Sequence, residues 1–86
     1  MRQRTATVGD PQGLHAQLAH RLSAVAGGFA ASIWLRFDGR RASLASPIQL
    51  LALRAPAGGT VTVLADGLDE LEALDAICAL IAEPPT

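Results

Sequence analysis

The run at residues 32–43, SIWLRFDGRRAS, constrains the fold more than any other stretch. Ile33, Leu35 and Phe37 alternate with Trp34 and Arg36, the period-two pattern of a strand with one buried face. Asp38-Gly39 follows, the strongest short hairpin signal, because a two-residue turn of type I′ needs positive φ at both central residues. A second strand continues through RRASLA, with Ala42 and Leu44 as its apolar pair. An antiparallel hairpin with one apolar face needs a sheet to join and a layer to pack against.

The rest of the chain supplies both. Residues 2–8, RQRTATV, read as a first strand, and Gly9, Pro11 and Gly13 punctuate its end. From His15 to about Gly27, Leu18, Ala19, Leu22, Val25 and Ala26 recur at helical spacing, and Gly27-Gly28 suggests a glycine C-cap. Ser46 and Pro47 open a short helix, SPIQLLAL, as N-cap and first helical residue. Residues 60–65, TVTVLA, form a last strand with Val61, Val63 and Ala65 inward. Asp69 and Glu72 resemble a capping box. Leu71, Leu74, Ile77 (or Cys78) and Leu80 (or Ile81) give the final helix its apolar face, and Pro84-Pro85 ends it. The order β-α-β-β-α-β-α predicts an α+β chain: a two-layer open-faced sandwich, with a four-stranded antiparallel sheet and three helices on one face. Its connectivity is of the split βαβ kind.

No linker or repeat divides residues 1–86, so one domain is expected. A chain this short buries only roughly 60% of its unfolded surface. Half of its residues are hydrophobic, enough for a packed core without metal or disulfide. The lone Cys78 forms no internal bridge, and one Cys with two His makes no metal set, so no metal and no cofactor are expected. No signal peptide and no membrane span is legible. All seven basic residues are arginine and the net charge is −1. Six of the arginines lie before residue 45, and six of the eight acids lie from Asp66 onward. The acids suit the opening of a C-terminal helix. The arginines leave an acidic partner open. With three aromatics and no basic stripe, nucleic-acid binding is not expected.

Both histidines lie in GLHAQLAHRL. His15 falls where a Gly/Pro loop meets a helix, roughly at the N-cap. The free amides of Ala16 and Gln17 make that end an anion site. A nucleophilic imidazole beside an anion cradle is the minimum kit for a transient phosphohistidine. A histidine that only caps or decorates the helix is the alternative, and spacing alone favours it. His20 reads as a solvated helix residue. The five-residue separation is not the i, i+4 spacing of a metal pair.

Several features together resemble the HPr phosphocarrier family of the bacterial phosphoenolpyruvate:sugar phosphotransferase system. They are Gly13-Leu14-His15-Ala16 with Ala19, Gly28-Phe29, Gly39, and Ser46 with Leu50 and Leu53. Gly58 or Gly59 with Thr60, and Ala65-Asp66-Gly67, complete the set. The resemblance spans nearly the whole chain and implies the HPr-like sandwich. It implies that His15 accepts a phosphoryl group from Enzyme I and passes it to sugar-specific phosphotransferase components. Such a protein is a cytoplasmic carrier rather than an enzyme, and a monomer.

The sequence departs from the family where x-Arg-Pro normally follows the histidine: Gln17 and Leu18 stand there. Glutamine brings no charge, and charge-assisted bonds are roughly twice as strong as neutral ones. Arg54 stands where the family usually has a small residue, often glycine. It either reaches the phosphoryl site in place of the missing arginine or is a solvated cation at a helix C-terminus. An HPr-like regulatory adaptor with weak or no phosphotransfer is the alternative function. Leu18 either begins the buried stripe or joins Leu14, Ile48 and Leu51 in a partner-docking patch around His15. Ser46 is explained as an N-cap. In Gram-positive relatives the matching serine is phosphorylated by an HPr kinase, and here Pro47 departs from that kinase-site pattern.

Overall fold

A computed structural model describes residues 1–84. Its elements are β1 (Arg2–Thr7), α1 (Ala16–Ala26), β2 (Ser32–Phe37), β3 (Arg40–Ser43), α2 (Pro47–Ala52), β4 (Thr60–Asp66) and α3 (Glu70–Ala82). The strands form one antiparallel sheet in the order β1-β4-β2-β3. The chain is an α+β open-faced sandwich, with the helices layered on one side of the sheet.

The hairpin forms as its sequence requires. Asp38 and Gly39 have φ of 53° and 75°, and Phe37 pairs with Arg40. β3 stops at Ser43 rather than Ala45, because Ser46 N–H turns back to the Ser43 carbonyl. Leu44 still donates to the Ile33 carbonyl and is fully buried. Val8 leaves β1 but stays buried, bonded to Gly58 and Gly59.

One buried cluster joins both layers. Leu18, Ala19 and Leu22 of α1 and Ala73, Leu74, Ile77 and Ile81 of α3 meet Ile33, Leu35, Val61, Val63 and Ala65 of the sheet. Several helix expectations change. Val25 is exposed, so the α1 stripe narrows to Leu18, Ala19 and Leu22 with Ala26 partly buried. Gly27 is right-handed at φ −63° instead of forming a left-handed cap, and the chain unwinds through tight turns. Leu71 is exposed, because the packed stripe of α3 runs through 74, 77 and 81 and its first turn lies beside it. Pro85 lies outside the described residues.

The capping box does not form either. Asp69 holds the N-cap position of α3, but its carboxylate accepts N–H bonds from Ala30 and Ala31, at 2.8 Å each. It therefore ties the α1–β2 loop to α3, while Glu70 accepts from the Gly67 amide. The Ala30 bond first, with the Ala31 bond, holds the Asp69 carboxyl below the usual aspartate range. A depressed folded value stabilises the fold above the unfolded value of about 3.9, and that contribution is lost as pH falls through the folded one. Urea midpoints measured at successive pH values are therefore expected to fall on acidification. Asp69→Asn should be less stable at neutral pH and less acid-sensitive.

Candidate functional site

The site is built from a turn that the sequence writes plainly. In Gly-Asp-Pro-Gln-Gly, the Asp10 carboxylate accepts from the Gln12 amide at 2.8 Å and the Asp10 carbonyl accepts from Gly13 at 2.9 Å. Such a local side-chain bond is the reason aspartate favours turns. Gly13 then adopts φ +69°, and a Cβ there would lie 2.7 Å from the Ala55 carbonyl oxygen. This close approach lets Leu14 N–H bond Ala55 O at 2.9 Å. The loop before α1 is thereby fixed to the segment after α2.

His15 is the N-cap residue of α1, with extended backbone and no side-chain bond to its own helix. Its Nε2 lies 2.8 Å from Asp10 Oδ2, and both side chains are about a quarter exposed, at 24% and 25%. Among the described residues, Nδ1 has no partner, and neither do the amides of Ala16 and Gln17. The first turn of α1 carries no acid. A ring nitrogen without a bond thus adjoins a helix end that favours negative charge. The Gln12 amide, and next the His15 ring, hold the Asp10 carboxyl below its usual range. His20 is exposed and has no side-chain bond among the described residues.

Arg54 is exposed and lies at φ 55° immediately after Leu53, the C-cap residue of α2. Its neighbour Ala55 is the residue that receives Leu14 N–H, so the backbone places Arg54 beside the histidine loop. Its guanidinium makes no hydrogen bond or ion pair among the described residues. The C-terminal carbonyl of α2 is instead met by Arg40, whose Nη2 donates to Leu53 O at 3.1 Å. Arg40 holds the cation position expected of Arg54.

Comparison with known proteins identifies the family. Residues 2–83 match the family model described as "PTS HPr component phosphorylation site". The chain is 40% identical over 82 residues to phosphocarrier protein HPr of Cupriavidus necator, covering 95% of this chain and 92% of that one. The chain belongs to the HPr phosphocarrier family. It is also 42% identical over 79 residues to phosphocarrier protein NPr of Shewanella violacea, covering 92% of this chain and 87% of that one. The HPr crystal structure from Bacillus anthracis superposes with a TM-score of 0.89 at 29% identity, covering 93% of this chain and 95% of that one. Family members with these names are carriers within the phosphotransferase system.

Within this HPr-family fold, the expected docking patch contracts. Leu14 and Leu18 are 7% and 5% exposed, so both are core residues and neither offers a surface. Leu14 is drawn inward by its bond to Ala55, and Leu18 shares the buried stripe with Leu22. Ile48 and Leu51, one turn apart on α2, are exposed. Ser46 caps α2, its hydroxyl accepting from Gln49 N–H at 3.3 Å. Gln49 in turn accepts from Ser43 N–H. No helix is long and apolar enough to cross a membrane among the described residues.

Asp10 is the site residue that sequence reasoning missed. Its position before Pro11 marks a turn, but nothing in the spacing shows that its second oxygen turns onto His15.

Proposed function

We propose that His15 accepts a phosphoryl group on Nδ1 from Enzyme I, charged by phosphoenolpyruvate, and passes it to sugar-specific phosphotransferase components in the cytoplasm. The observation that carries this reading is the placement of an unbonded Nδ1 at a helix N-terminus with free amides. Those amides meet the phosphoryl oxygens, and the ring supplies the lone pair. Ile48 and Leu51 offer partners an apolar contact beside the loop. A phosphate on Ser46 would add charge next to that contact, which is the form regulation by a kinase would take.

Gln17 brings no cation to the phosphoryl group, and Arg54 takes that role in this proposal. Its side chain is uncommitted, and its left-handed backbone is one that a glycine would adopt without strain. Arg54→Gly is therefore expected to stabilise the fold by about 1 kcal/mol. It should also slow phosphotransfer roughly tenfold or more, the worth of a hydrogen bond to a charged group. Urea unfolding and single-turnover transfer check the two signs separately. Unchanged transfer would remove Arg54 from the phosphoryl site, whereas weak or no transfer by the parent protein would favour the adaptor reading, for which Gln17 is the supporting observation.

The primary test is incubation with Enzyme I and phosphoenolpyruvate, followed by assay for acid-labile phosphate on the protein. No label on a folded protein would defeat the carrier reading.

A further inference from the structure

We infer that Asp10 is a positioning residue for His15: it fixes the ring proton on Nε2, presents Nδ1 to the phosphoryl donor, and balances the ring's positive charge while the phosphoryl group is attached. This rests on the reading of His15 as acceptor.

The geometry leaves the carboxylate little choice. Oδ1 is occupied by Gln12 N–H at 2.8 Å, and the Asp10 carbonyl by Gly13 N–H. Oδ2 is thereby aimed at His15 Nε2, 2.8 Å away. An ionised carboxylate only accepts, so Nε2 must be the protonated nitrogen. Nδ1 is then left with its lone pair, on the side of the ring away from Asp10. The arrangement follows the logic by which a buried acid orients a catalytic histidine.

In the transfer step, the Nδ1 lone pair attacks phosphorus. The bond from phosphorus to the donor atom breaks, and its electron pair leaves with the donor. The ring keeps its Nε2 proton and becomes cationic, and the Asp10 carboxylate faces that charge. On onward transfer the phosphorus–Nδ1 bond breaks and its electrons return to Nδ1. Because Nε2 is still protonated, the departing ring is a neutral imidazole and not an anion. Asp10 thereby keeps the phosphoryl group transferable.

Two substitutions separate this role from that of a turn former. Asp10→Asn retains an oxygen for Gln12 N–H, so the turn is preserved. Its amide NH₂ then faces Nε2, where it needs an acceptor. The ring satisfies it by moving its proton to Nδ1, which removes the nucleophile. Asp10→Ala removes the turn bond but imposes no tautomer. A structural role alone would make the alanine variant the worse of the two. The positioning role makes the asparagine variant the worse.

The experiment measures phosphorylation rates with Enzyme I and phosphoenolpyruvate, and ¹⁵N chemical shifts of the His15 ring, for the parent and both variants. The expected loss is on the order of tenfold or more for Asp10→Ala, the usual scale for removing a partner that orients a histidine. A larger loss is expected for Asp10→Asn, as for a ring held in the wrong tautomer. The ring should be protonated on Nε2 in the parent and on Nδ1 in Asp10→Asn. An asparagine variant at least as fast as the alanine variant, or with its proton still on Nε2, would overturn the inference. A parent that takes up no phosphate would defeat the acceptor reading, while the ring shifts would still decide the role of Asp10.

Discussion

His15→Ala is expected to take up no phosphate while unfolding in the same range of urea as the parent. The loss is complete because no second histidine or cysteine shares the site among the described residues: His20 is on the exposed flank of α1, and Cys78 lies partly buried on α3. The fold is spared for an equally local reason. The His15 side chain makes no capping bond, so alanine removes nothing from the start of α1. The backbone bond from Ala19 N–H to the residue 15 carbonyl survives the change. Only the partly exposed contact with Asp10 is lost, and contacts of that kind contribute little. Assay of acid-labile phosphate beside a urea curve checks both halves. Label retained by the variant would move the acceptor elsewhere.

The second large effect is expected at Gly13. Gly13→Ala would press its Cβ against the backbone of residues 55–57: Ala55 O at 2.7 Å, Ala57 N at 3.0 Å and Pro56 Cα at 3.1 Å. None of these atoms can swing away as a flexible side chain would. The left-handed φ costs roughly 1–2 kcal/mol, and forced overpacking adds roughly 1–3 kcal/mol. A total of about 2–5 kcal/mol is a large share of the roughly 5–15 kcal/mol that holds a domain together. The same change pushes the histidine loop off Ala55, so phosphate uptake should fall as well. Gly39→Ala separates the two causes, since Gly39 has φ +75° with nothing within 4 Å of a Cβ. It should show only the conformational part. Equal urea midpoints for the two variants would mean that the contact with Ala55 carries no weight.

Much of the architecture was legible because its signals are local. Asp38-Gly39 dictates its own turn, and Ser46-Pro47 dictates its own cap. Val61, Val63 and Ala65 face inward because a strand alternates wherever it pairs. His15 was legible for a similar reason, since the end of a Gly/Pro loop and the start of a helix fix an N-terminus without reference to the rest of the chain. The errors arose where local and long-range bonds compete. Asp69 and Glu72 have the spacing of a capping box, yet the Asp69 carboxylate serves two amides 38 and 39 residues away. Leu71 has the right apolar character, but the sheet lies under 74, 77 and 81.

The sequence by itself therefore determined the order of elements, the hairpin, the cap on α2 and the place of His15, all set by bonds among residues a few positions apart. Tertiary structure alone decided what surrounds the histidine. Packing buried Leu14 and Leu18 and left Ile48 and Leu51 exposed. The bond from Leu14 to Ala55 brought the Arg54 backbone beside the loop, and Arg40 took the carbonyl at the end of α2. The turn at residues 10–13 aimed the second oxygen of Asp10 at Nε2. A turn's presence follows from composition, but the direction in which its free oxygen points depends on where the folded backbone delivers its partner.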